Sequence, residues 1–163
     1  MKRLYLVRHA KSSWEEPGKA DIDRKLTDLG IKRTEKVIPY LKKKEIIVDQ
    51  MISSPAIRAY QTAVLIAKGI GYPVKKIRTD LKIYNGGYDR ILDIIYSTPD
   101  EVGSLMIFGH NPVITQLANL FLHPGIEDLP TTGMVGLKFD TDHWSSIPSA
   151  EPETEFIIFP KML

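Results

Sequence analysis

Apolar residues in this chain fall into short continuous runs that alternate with stretches of helical spacing. Residues 2–7 end in Leu4-Tyr5-Leu6-Val7 and turn abruptly polar at Arg8, which predicts a short buried strand. Residues 11–24 keep neither period and contain Pro17 and Gly18, so they read as a loop. Thr27 and Asp28 both suit the N-cap of a helix reaching about Lys44. Leu29, Thr34, Ile38 and Leu41 carry its roughly helical spacing, and Pro39 should kink it. Residues 46–53 read as a second strand and 56–68 as a helix with Ala56, Ala59, Ala63, Ile66 and Ile70 on one face. Gly69 and Gly71 are expected to end that helix. A weak third strand is predicted at 74–77 and a helix at 88–97, with Ile91, Ile94 and Ile95 inward. Residues 104–108 form a nearly all-apolar strand that hands over at Gly109. Asn111 then suits an N-cap and Pro112 a first helical residue, with Val113, Ile114, Leu117, Ala118 and Phe121 on the inner face.

Two last strands, 134–139 and 155–159, have no helix between them and should pair antiparallel. Elsewhere strand and helix alternate, so the class is α/β with a mostly parallel, mixed sheet. At 163 residues the chain suits one domain spanning 1–163. Its net charge of +2 is too small to argue for nucleic acid. Lys42-Lys43-Lys44 fits a helix C-terminus, where cations meet the negative end of the dipole. The absence of cysteine excludes disulfides, thiolate nucleophiles and Cys-based metal sites. No apolar run approaches the ~20 residues of a membrane helix, and the N-terminal run is too short for a signal peptide. A cytoplasmic protein is the expectation.

The polar residues that interrupt these runs are chemically specific. Arg8-His9, Ser53 to Arg58 and Gly109-His110 all stand at predicted strand ends, where open α/β sheets bind ligands. Two guanidiniums, two imidazoles and the helix N-termini after Ser54 and Asn111 describe a phosphate site. A neutral imidazole can attack phosphorus, and nearby arginines disfavour its protonation. No metal or other cofactor is needed for such chemistry, and no Asp cluster of magnesium type stands at these strand ends.

Arg8-His9, Arg24-Lys25-Leu26-Thr27 with Gly30, Ser53-Ser54-Pro55-Ala56-Ile57-Arg58-Ala59 and Gly109-His110-Asn111-Pro112, taken in order, resemble the histidine phosphatase superfamily. Among its phosphoglycerate mutase-like members they are most similar to the small SixA-type phosphohistidine phosphatases. The resemblance implies a three-layer α/β/α sandwich. It implies His9 as phosphorylated nucleophile, Arg8 and Arg58 as phosphate-binding arginines, and His110 as second catalytic histidine. Arg24 is placed near the phosphate by the SixA-like pattern, against the alternative of a surface ion pair with Asp21 or Asp23. Ala10 stands where the superfamily usually has glycine. Mutase-like relatives carry a proton-donating carboxylate near the equivalent of 81–87, and here that stretch is Leu-Lys-Ile-Tyr-Asn-Gly-Gly. No large insertion builds a cap over the pocket.

These two absences suit phosphohistidine, whose P–N bond is labile, better than a sugar phosphate that leaves as an alkoxide. The implied partner is a phosphorylated protein resembling a histidine phosphotransfer domain. The alternatives are a small phosphoester substrate, with Asp21, Asp23 or Tyr84 lending a proton, and a phosphoprotein-binding module without turnover. Ser12, Ser13 and Trp14 are expected near the rim, and Thr131-Thr132 could join it. His123 and His143 read as solvated loop residues, and Asn111 as a helix cap before a ligand contact.

Overall fold

The computed structural model describes residues 1–14 and 18–163; Pro17, part of the loop reading, lies outside the described residues. Six strands form one sheet: β1 (Lys2–Arg8), β2 (Gln50–Ser53), β3 (Arg78–Thr79), β4 (Ser104–Gly109), β5 (Met134–Phe139) and β6 (Pro152–Ile158). Their order is β3-β2-β4-β1-β5-β6. The β1–β4, β2–β4 and β2–β3 pairs are parallel, while β1–β5 and β5–β6 are antiparallel. The sheet is therefore mixed, with the antiparallel pairing expected of the last two strands.

Alternation along the strands builds a core on each face. Leu4, Leu6, Leu105 and Ile107 turn to one side, where they meet helices α4 (Tyr88–Tyr96) and α5 (Val113–Asn119) and the buried Trp144. Tyr5, Val7, Met106 and Phe108 turn to the other, against α1 (Asp28–Lys43) and α2 (Ile57–Ile70). Both faces are covered, which gives three layers.

Some local expectations hold and others need correction. Thr27 is the N-cap of α1, accepting the Gly30 N–H at 3.0 Å. The buried face of α1 is Gly30, Thr34, Val37 and Leu41, whereas Leu29 faces solvent. The helix continues through Pro39 to Lys43. Gly69 does not end α2. It lies inside the helix, where a Cβ would stand 2.6 Å from Ile38 of α1. Gly71 is the true cap, in the left-handed conformation at φ 81°. The predicted strand at 74–77 is a 3-10 turn, Val74–Lys76, and the third strand is the two-residue β3 after it. Asn111 is not a side-chain cap: α5 starts at Val113 with Pro112 before it. A four-residue helix, α3 (Lys82–Asn85), was not foreseen.

The topology gathers the chemistry. β1 and β4 lie side by side in parallel register, with Arg8 opposite Gly109. His9 and His110, one residue beyond each strand, therefore become neighbours. β2 lies on the far side of β4 and delivers Ser53 opposite Phe108, so the segment leading into α2 opens at the same sheet end.

Candidate active site

The backbone around His9 is tied down on every side. Its N–H donates to the Gly109 carbonyl at 3.1 Å, and the Ala10 N–H donates to Thr62 Oγ1 at 2.9 Å. The Thr132 N–H reaches both the Arg8 and His9 carbonyls, at 3.1 and 3.2 Å. Thr132 adopts φ 56° to do so, an uncommon conformation for a β-branched residue. Gly30 packs so tightly under the following turn that a Cβ there would lie 2.3 Å from the Lys11 carbonyl oxygen.

His9 is 8 % exposed. Its Nδ1 stands 2.7 Å from the Ala10 carbonyl, which can only accept, so Nδ1 carries the proton. In the neutral ring this leaves the lone pair on Nε2, the form a nucleophile needs. Burial lowers the pKa to about 4, aided by the Arg58, Arg8 and Arg24 guanidiniums and opposed by the bond to Ala10.

His110 is its partner. The two ring centroids lie 5.2 Å apart. His110 Nε2 is 2.8 Å from Ser54 Oγ, and that hydroxyl also accepts the Ala56 N–H at 3.1 Å. Burial, followed by the neighbouring His9 and Arg58, lowers the His110 pKa to about 3. Both imidazoles are thus neutral near pH 7. The Tyr84 ring packs edge-on against His110 at 5.7 Å.

Arg58 lies in the first turn of α2 and is 6 % exposed. Its Nη1 donates to the Asp21 carbonyl at 2.8 Å and its Nη2 to Asp21 Oδ2 at 3.1 Å. Arg8 is held from the other side: Nη1 donates to the Leu129 carbonyl at 3.0 Å and lies 3.8 Å from Asp128 Oδ2. Asn111 braces that loop, with Nδ2 donating to Asp128 Oδ1 at 2.5 Å and to the Leu129 carbonyl at 3.0 Å.

Arg24 lines the same cavity as Arg58 and also makes the ion pair that was its alternative. Its Nη1 donates to Asp21 Oδ1 at 2.8 Å, Nη2 to Ser12 Oγ at 2.6 Å and Nε to the Ser13 carbonyl at 2.9 Å. The guanidinium also lies over the Trp14 ring, 3.3 Å from its centroid. Asp21 is therefore shared by Arg24, Arg58 and the Tyr84 hydroxyl, which donates to Oδ2 at 2.8 Å. Partial burial pushes this carboxyl up. The bonds from Arg24, Tyr84 and Arg58 outweigh it and hold the pKa at about 2. These bonds hold Asp21 as a carboxylate, which weighs against its lending a proton. The Tyr84 hydroxyl is engaged on Asp21, and that bond, the largest cause, raises its pKa. Asp23 is exposed and lines no part of the cavity.

One cavity of about 240 Å³ is lined by all five predicted residues, Arg8, His9, Arg24, Arg58 and His110, together with Asp21. Thr131 joins its rim, but Thr132 is fully buried with its Oγ1 3.1 Å from that of Thr34. His143 is exposed, as expected, and its Nδ1 lies 2.8 Å from Asp100 Oδ2. Among the described residues, four buried side-chain polar atoms lack a partner, and three are Arg8 Nε, Arg58 Nε and His110 Nδ1. Each arginine Nε is a pure donor, so two of the residues lining the cavity carry buried N–H groups without an acceptor. The supporting residues Ser54, Thr62, Asp128 and Leu129 went unassigned in sequence. Only Ser54 had a local signal, its place in Ser53-Ser54-Pro55.

Comparison with known proteins places this geometry. The model of the histidine phosphatase superfamily (branch 1) matches residues 4–87. An uncharacterised protein of Mycobacterium tuberculosis is 28% identical over 150 residues, 86% of this chain and 91% of the relative. The crystal structure of SixA from Agrobacterium tumefaciens superposes with a TM-score of 0.82 at 26% identity, covering 98% of each chain. A mycobacterial glucosyl-3-phosphoglycerate phosphatase superposes with a TM-score of 0.67 at 15% identity, covering 95% of this chain and 97% of that one. At that identity the second likeness shows the fold alone. No helix of the described residues is long and apolar enough to cross a membrane.

Proposed function

The chain belongs to the histidine phosphatase superfamily, a family of phosphate-releasing hydrolases, and from that premise we propose that it removes phosphate from protein phosphohistidine through a covalent intermediate on His9. The observation that carries this reading is the pair of buried Nε–H groups of Arg8 and Arg58, left without acceptors in residues that line one cavity with a neutral His9. A phosphoryl group supplies such acceptors. Its oxygens take hydrogen bonds from the guanidiniums, and its phosphorus meets the His9 Nε2 lone pair.

As the Nε2–P bond forms, the bond from phosphorus to the departing group breaks. Arg8, Arg58 and Arg24 neutralise the charge on the phosphoryl oxygens as it passes, while the neutral His110 ring offers them a hydrogen bond from its N–H. A departing imidazole that already carries a proton on its second nitrogen keeps the electron pair of the broken P–N bond, leaves neutral and requires no carboxylic acid from the protein. Water then attacks phospho-His9, the P–Nε2 bond breaks, and His9 recovers its lone pair as phosphate leaves.

The carboxylate in the pocket supports this substrate class. Asp21, with a pKa of about 2, is a poor donor for an alkoxide. The cavity of about 240 Å³ is also smaller than the ~300–1,000 Å³ of drug-sized pockets. It suits a phosphoryl group presented on a larger surface. The likeness to SixA of Agrobacterium tumefaciens over 98% of each chain supports the same class. One domain over residues 1–163, a cytoplasmic location and a histidine phosphotransfer domain-like partner belong to this reading. The rival substrate, a small phosphorylated sugar, draws on the likeness to the glucosyl-3-phosphoglycerate phosphatase.

The test compares phosphate release from a histidine phosphotransfer domain phosphorylated with phosphoramidate and from a panel of small phosphoesters. Wild type and His9→Ala are compared at equal folded concentration. The proposal expects fast, His9-dependent release from the phosphoprotein and slow turnover of the esters. Release only from an ester overturns the substrate, and full turnover by His9→Ala overturns the mechanism.

A further inference from the structure

Beside the catalytic cavity lies a second groove of about 400 Å³, and Thr131 lines both. Its floor is Pro130, Phe159 and Pro160, and its walls carry Arg33 and Lys36 from α1 and Lys161 from the C-terminal 3-10 turn. Arg33 and Lys36 stand three residues apart and so share one face of α1. All three cations are exposed, and every ionisable side chain lining the groove is basic. Among the described residues no carboxylate pairs with any of them.

The contrast with the catalytic cavity is informative. There Arg24 and Arg58 are paired with Asp21, and Arg8 faces Asp128. The groove concentrates three unpaired positive charges on a chain whose net charge is only +2. Concentrated charge of one sign beside a reaction centre steers a partner of the opposite sign. A phosphoryl group in so small a cavity must leave the body of its carrier outside. On the Thr131 side, the surface that meets that body is this groove.

We infer that the Arg33–Lys36–Lys161 groove docks an acidic segment of the phosphoprotein substrate, next to its phosphohistidine. The inference rests on the phosphohistidine reading and adds to it a selectivity for sequence charge. Carboxylates flanking the phosphohistidine sit against the three cations, while apolar atoms of the same segment cover Pro130, Phe159 and Pro160. The groove acts on binding and leaves the chemistry at His9 untouched.

Two synthetic phosphohistidine peptides, prepared with phosphoramidate, provide the test. One carries Asp and Glu flanks and the other Ser and Gly flanks. Wild type is expected to show kcat/KM about tenfold higher for the acidic peptide, through KM, with the preference shrinking as salt is raised. The triple variant Arg33→Gln, Lys36→Gln, Lys161→Gln is expected to lose that preference while keeping kcat and its turnover of the neutral peptide. Equal turnover of both peptides by wild type overturns the groove and leaves the phosphohistidine reading standing. An equal loss on both peptides in the variant also overturns it, because the cations would then support the cavity and not the partner. Turnover of neither peptide, with His9-dependent hydrolysis of a small phosphoester, overturns the phosphohistidine reading and the groove with it.

Discussion

At the scale of single residues, the site is organised around two neutral imidazoles and one ionised carboxylate. The bond from Nδ1 to the Ala10 carbonyl orients the His9 ring and leaves Nε2 free for the proposed attack, and His110 is held by Ser54. Removing the nucleophile, His9→Ala, should lower kcat by at least about a thousandfold. Ser54→Ala should lower kcat by about tenfold with a smaller change in KM, because it frees the His110 ring without removing it. Asp21→Asn separates the two substrate classes. If Asp21 only holds Arg24, Arg58 and Tyr84, removing its charge should tighten inhibition by inorganic phosphate several-fold and leave the basic limb of the pH profile in place. Loss of that limb would show that Asp21 gives up a proton, as a phosphoester substrate requires. The residues that share the cavity were legible in the sequence, because Arg8, His9 and His110 stand where apolar strands turn polar and Arg58 opens the helix after another. Asp21 was named only as a possible acid, because spacing along a loop cannot tell which carboxylate three donors will share.

At the scale of elements, close contacts fix the position of His9. The turn after His9 rests on the N-terminus of α1, and Gly30 is the point of contact. A methyl group there must displace the Lys11 backbone. Gly30→Ala should therefore destabilise the fold by about 1–3 kcal/mol and lower activity, measured by urea unfolding and turnover on one preparation. A wild-type midpoint with wild-type kcat would contradict the packing described. Strands and long helices were readable because buried faces repeat with fixed periods, as Ala59, Ala63 and Ile66 do on α2. Short elements were not. Val74 and Ile77 mimic the ends of a strand, but 74–76 is a 3-10 turn following Pro73. The segment 120–133, which fixes Arg8 through Leu129 and Asn111 through Asp128, has no period at all. Its role depends on contacts far apart in sequence.

At the scale of the whole molecule, the mixed sheet converts distant motifs into one site. The β1–β4 pairing alone joins residues a hundred positions apart, Arg8 and Gly109. The adjacency of β1 and β5 was not legible, because strand order depends on which layer covers which face. Burying the two histidines also ties stability to pH. Both folded-state values, about 4 and about 3, lie below the ~6.5 of an unfolded histidine. Between those values and ~6.5 the unfolded chain binds more protons, so stability is full above about 6.5 and falls as pH drops toward 3. Tm should follow that course, and His9→Gln with His110→Gln should flatten it. An unchanged slope in the double variant would assign the pH dependence to other groups. The same shift predicts that the acid limb of kcat/KM, after correction for ionisation and spontaneous hydrolysis of the substrate, falls near pH 4 and well below 6.5.

The most direct measurement is the phosphoenzyme itself. Wild type mixed rapidly with a phosphorylated histidine phosphotransfer domain, then quenched in alkali where phosphohistidine survives, should carry one phosphoryl group per chain on the peptide containing His9. It should form in a burst ahead of steady turnover, and His9→Ala should carry none. Steady phosphate release with no phosphoryl group on that peptide, or with the group on another residue, would contradict the account.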